Sequence, residues 1–134
     1  MLDYINKGLN AGNSALRNCT NSMKASSVSY QRTFFNYSTD YASDAASYYL
    51  KAYNYTANKV DFTIKLSDGS TSTLKMELKK AYTNYREASY VRFNSSSYSS
   101  IYTCQFELSE KLLAASTPGA NSAKFVAELL ITIV

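Results

Sequence analysis

The chain has 134 residues, with 14 Lys+Arg against 10 Asp+Glu, a formal charge of +4 and a pI near 9.0. That length suits a single domain over 1–134, and 46% apolar residues suffice for a folded core. There is no His, which excludes Ser-His-Asp and Cys-His catalysis and any His-ligated metal or haem site.

Cys19 and Cys104 are the only thiols, so one chain cannot assemble a four-cysteine zinc or iron–sulfur site. Gly8, Gly12, Gly69 and Gly119 form neither GxGxxG nor GxxxxGK[ST]. No metal and no cofactor is expected. The first ten residues lack a basic region followed by an apolar run, so no leader is expected. The longest apolar stretch, Phe125 to Val134, is interrupted by Glu128 and Thr132 and is too short to span a bilayer. These features predict a soluble protein, cytoplasmic or held within an assembled particle rather than secreted.

In chain order, Leu2, Ile5, Leu9, Gly12, Leu16, Cys19 and Met23 recur at steps of three and four, which predicts a first helix. Asn10, Gly12 and Asn13 are poor helix formers and mark a candidate break. Asn21-Ser22 and Ser26-Ser27 read as a turn or helix cap. A second stripe, Tyr30, Phe34, Tyr37, Tyr41, Ala45, Tyr48, Ala52 and Tyr55, predicts a long helix with a buried aromatic face. Phe35 and Tyr49 fall off that stripe, facing outward or a third element.

Val60, Phe62, Ile64 and Leu66 alternate with polar residues, as do Leu74, Met76 and Leu78 beyond Ser67-Asp68-Gly69-Ser70. This predicts a β-hairpin with strands at about 60–66 and 72–78. Matching the apolar faces requires an odd loop centred on Gly69, pairing Ile64 with Leu74, Phe62 with Met76 and Val60 with Leu78. Residues 78–90 return to a helical period. Tyr90 to Phe93 reads as the end of that helix or as a short strand, and Asn94 to Ser100 as a serine-rich loop.

Ile101, Cys104, Leu108, Leu112 and Ala115 predict a helix over 101–116, with a strand over 101–108 as the alternative. Thr117-Pro118-Gly119 reads as its stop. The final apolar residues 129–134 read as a buried strand beside the hairpin. The expected fold is therefore α+β: two N-terminal helices, a central hairpin, further helices and a C-terminal apolar strand.

Tyrosine makes up 13 of the 134 residues. It supplies a large, rigid, amphipathic surface suited to protein partners, glycans or bases, and equally to a half-wet core edge. Tyr37, Tyr41, Tyr48, Tyr49 and Tyr55, on the long second helix, are the expected partner contacts. The expected function is non-enzymatic: a coat, filament or linker subunit packing against copies of itself or a larger partner. The positive charge suits an acidic protein partner.

Other readings attach to other residues. Lys79, Lys80 and Arg86 with Tyr82 suit single-stranded nucleic acid, through stacking and phosphate contacts. Asp40 with Asp44, and Glu107 with Glu110, pair carboxylates for acid–base work in a small enzyme, a spacing equally suited to a solvated helix face. Cys19 and Cys104 both sit on apolar faces, which fits a disulfide or two buried thiols. The sequons at Asn18, Asn36, Asn54 and Asn94 fall within chance for this composition.

Overall fold

The computed structural model describes residues 1–57 and 61–133. The first two elements are α1, Leu2–Lys24, and α2, Val28–Ala57. α1 runs unbroken through Asn10, Gly12 and Asn13. Its buried line is Ile5, Gly8, Gly12, Ala15, Cys19 and Ser22, one step to the side of the leucine row. The turn lies at 25–27, where the Ser27 hydroxyl accepts a bond from the Tyr30 amide at 3.2 Å and caps α2.

The hairpin is shorter than its apolar alternation predicts. β1 is Thr63–Lys65 and β2 is Thr71–Thr73, antiparallel, with Ile64 opposite Ser72. The Gly69 amide donates to Leu66 O at 3.0 Å and the Leu66 amide to Ser70 O at 2.8 Å, leaving an odd loop of Ser67, Asp68 and Gly69. Gly69 takes φ +88°, a left-handed conformation that favours glycine. The loop is thus odd but centred on Asp68, so Ile64 pairs two residues short of Leu74 and Phe62 has no strand partner in Met76. The proposed Val60–Leu78 pair involves a residue outside the described ones.

The second strand ends early because α3, Leu74–Ser89, begins where the apolar alternation continues. Thr73 accepts from the Met76 amide at 3.1 Å, and Asp61 Oδ1 accepts from the Lys75 amide at 3.1 Å. Two orphan donors of the first turn are satisfied this way. Leu74 and Leu78 are buried and Met76 is half exposed, which is the pattern of one helical turn, not of a strand.

The last element, α4, spans Tyr98–Ile133. It is a helix over 101–108, and Ser97 caps it, accepting from the Ser100 amide at 3.0 Å. Pro118 and Gly119 do not stop it. Pro118 lies inside α4, and its carbonyl accepts from Ser122 Oγ at 2.9 Å. Residues 129–133 continue the helix, which replaces the expected terminal strand; residue 134 lies outside the described ones. The fold is therefore mostly helical, and the expected α+β character is confined to the small hairpin.

Each helix runs antiparallel to the next. Ser38 Oγ donates to Ala15 O at 2.7 Å and Ser22 Oγ to Gln31 O at 2.8 Å, joining α1 to α2. Lys75 lies over Tyr53 at one end of α2 and α3, while Phe35 meets Phe93 at the other. Asn121 and Lys111 reach back to Glu77 and Glu87, and Gln105 Nε2 donates to Ser22 O at 3.0 Å. The result is an up-down-up-down bundle in which α2 and α4 occupy opposite corners.

Two stacked tyrosines fill its centre. Tyr49 and Tyr85 lie with ring centroids 5.7 Å apart and planes 6° from parallel. Gly8 and Gly119 make room for Tyr49, and Gly12 for the Tyr85 hydroxyl; a Cβ at any of the three would collide with the ring it faces. The buried face of α2 joins the small residues of the expected stripe, Ala45 and Ala52, to residues left off it, Phe35, Ser38, Ala42 and Tyr49. Serines and alanines let α1 and α3 approach closely, so most of the tyrosine row is turned out.

Candidate interaction surface

Tyr30, Tyr37, Tyr41 and Tyr55 expose 64%, 51%, 40% and 50% of their surface. They follow one face of α2 at steps of seven, four and fourteen residues, with Tyr48 half-buried among them. Tyr49 is excluded from any such surface. It is fully buried, has no hydrogen-bond partner for its hydroxyl among the described residues, and is held as the neutral phenol because burial, with the neighbouring Tyr85, pushes its pKa far up.

Between α1 and α2, the exposed row borders a shallow groove lined by Asn18, Tyr37, Asp40, Tyr41 and Asp44. A second groove, reached past Tyr41 and Asp44, is lined by Lys7, Ser14 and Tyr48. Lys7 and Lys51 stand 5.9 and 5.6 Å from the Tyr48 ring centre, so the chain's own cations already cover that ring. Asp40 and Asp44 are both exposed on this solvated face, as are Glu107 and Glu110 on α4. Among the described residues no cluster of three or more acidic or thiol groups has metal-site geometry.

The basic group is dispersed in its contacts. Lys80 pairs with Glu77 at 3.2 Å, while Arg86 bonds the Tyr90 and Tyr82 hydroxyls at 3.2 and 3.4 Å. Tyr82 is half-buried against the core and Lys79 is exposed. The structure therefore brings Arg86 and Tyr82 together but commits both to each other. Cys19 and Cys104 are free, buried thiols and form no disulfide. Burial, with the nearby Cys104, pushes the Cys19 thiol up to about 11, which makes it unreactive at neutral pH. The sequon Asn94 is exposed, whereas Asn18 donates along its own helix to Ser14 O at 2.8 Å.

A second apolar surface lies on α4, where sequence reasoning placed none. Tyr98, Tyr102, Phe106 and Leu113 expose 79%, 70%, 63% and 56%. Their spacing of four, four and seven keeps them on one side of the helix. With Met23 of α1, Tyr102 and Phe106 border a strongly apolar groove of about 490 Å³. The spacing was present in the sequence, but the equally regular row Ile101, Cys104, Leu108, Leu112 and Ala115 masked it, and that row is buried.

No family model matches the chain, nor does any curated protein or solved structure. Among the described residues, no helix is long and apolar enough to cross a membrane.

Proposed function

We propose that this protein is a non-enzymatic building block, a small helical subunit of coat, filament or linker type that packs against copies of itself or a larger partner. The observation that carries the reading is the row Tyr30, Tyr37, Tyr41 and Tyr55, each at least 40% exposed along one face of α2. Tyrosine is enriched at the anchors of protein interfaces, where its ring is buried and its hydroxyl keeps a polar partner. The α4 row adds a second apolar face on the opposite corner of the bundle, and a subunit with two faces can extend an assembly in two directions. The net charge of +4 favours an acidic protein among larger partners.

The test is mass in solution across concentration, by sedimentation, for the parent and for the double variant Tyr37→Ser/Tyr41→Ser. Growth of the parent with concentration, reduced in the variant while its circular dichroism is unchanged, supports the reading. A parent that stays monomeric and retains nothing from its native extract overturns it. The nucleic-acid reading draws less support, since Lys80 and Arg86 have partners within the chain; saturable oligonucleotide binding that weakens with salt would favour it instead.

A further inference from the structure

The exposed side of α4 continues beyond its aromatic end. Tyr102, Phe106, Leu113, Ala120 and Ala127 follow one another at steps of four and seven, all exposed. Ser109, Ser116 and Ala123, half-buried beside them, keep the row free of bulk. From Tyr102 to Ala127 the row extends for about 38 Å at the rise of an α-helix. Pro118 is buried and faces the body of the bundle, off the row. Three exposed charged residues border it on its outer flank, Glu110, Lys124 and Glu128; Glu110 and Lys124 stand fourteen residues apart. Neither has an ion-pair partner among the described residues.

We propose that α4 pairs with α4 of a second copy, antiparallel, about a twofold axis at Thr117. This rests on the building-block reading and names the first of its contacts. The occupant is set by charge and size. With Thr117 opposite its own counterpart, Glu110 of each copy faces Lys124 of the other, and the pair recurs by symmetry. In the same register Leu113 lies level with Asn121, one residue beyond the small Ala120 of the row, on both sides of the axis. A parallel pair in register places Glu110 level with Glu110 and Lys124 level with Lys124, which repels. The row is thus self-complementary in one direction only. Tyr102 and Phe106 with Met23 form the aromatic ends of the interface, where most of the exposed apolar area lies.

Sedimentation of Glu110→Lys, Lys124→Glu and the double variant tests the pairing in the full chain. Both changes are on exposed positions, and circular dichroism checks that the bundle is retained. Each single reversal sets like charges together at two places and is expected to raise the dimer dissociation constant by about tenfold. The double variant is expected to return it to within about threefold of the parent. In Thr117→Cys, a short bismaleimide is expected to join two copies, and in Asn13→Cys on α1 it is not. Leu113→Asp is expected to abolish the dimer. An oligomer indifferent to these α4 variants but lost on Tyr37→Ser/Tyr41→Ser overturns the α4 pairing and leaves the building-block reading intact. Single reversals that weaken the dimer without rescue in the double variant overturn the antiparallel register. A parent that is monomeric from micromolar to millimolar concentration overturns the α4 pairing, and the building-block reading falls with it only if that parent also retains nothing from its native extract.

Discussion

At the scale of residues, the centre of the bundle is a contest between two phenols and three glycines. The Tyr49 hydroxyl is buried without a partner among the described residues, and an unmet buried hydroxyl is costly. Tyr49→Phe is therefore expected to stabilise the protein by about 1 kcal/mol in urea titrations. Gly119→Ala is expected to cost about 1–3 kcal/mol, because the methyl meets the Tyr49 hydroxyl and ring. In the double variant part of that cost disappears, since the nearest atom is gone. Burial raises Tyr85 from 10.0 to about 12, and Tyr49 moves in the same direction. Both phenols stay neutral in the fold while the unfolded chain ionises. Stability is thus unaffected below pH 10 and falls as pH rises from there toward the folded values, by about 1.4 kcal/mol per pH unit for each phenol. Unfolding titrations at about pH 9 and about pH 11 check this, with Tyr85→Phe showing the shallower loss.

At the scale of elements, the junction of hairpin, α3 and α4 converges on Glu77, which is 2% exposed. Burial alone would push its pKa up. Hydrogen bonds from Asn121, Ser72 and Lys80, with the Lys80 charge, more than offset that, so it lies below the ordinary 4.5. Its contribution to stability is present above pH 4.5 and is lost as pH falls through the lower folded value. Glu77→Ala is expected to cost about 2–3 kcal/mol and to flatten the acid limb of the stability curve. Thr73→Ala, which removes the α3 cap, is expected to cost about 1 kcal/mol without altering that limb. The capping also explains why strand alternation failed as a guide beyond residue 73. An apolar residue every second position over five residues is also compatible with one helical turn, and the choice falls to the cap that Thr73 and Asp61 provide.

At the scale of the whole molecule, the proposed building-block role rests on two exposed faces at opposite corners of the bundle. If α2 and α4 each support a contact, removing one face is expected to stop growth at a small closed species, while removing both leaves monomers. Light scattering of Leu113→Asp, Tyr37→Ser/Tyr41→Ser and their combination reads this directly. The exposure of Tyr37, Tyr41 and Tyr55 was legible because a long helix with this many rings has more aromatic surface than a small bundle can cover. Tyr49 was not, since a single row of periodic rings gives no sign of which side of the helix faces the core.

The sequence by itself determined the helical period of α1 and α2, a turn near Ser26-Ser27 and another near Gly69, the apolar row of α4 and the absence of imidazole chemistry. These depend on neighbours within a few residues, where side-chain spacing, capping and φ preference act directly. Only the tertiary structure decided that α2 buries its small residues with Phe35 and Tyr49, that α4 passes through Pro118 to residue 133, and that the cysteines stay apart as thiols. Each of these depends on what another helix supplies: a glycine that clears space for a ring, a packed flank that holds a proline in line, or a core that buries sulfur without linking it. Such fits are made between segments distant in the chain, and local periodicity carries no record of them.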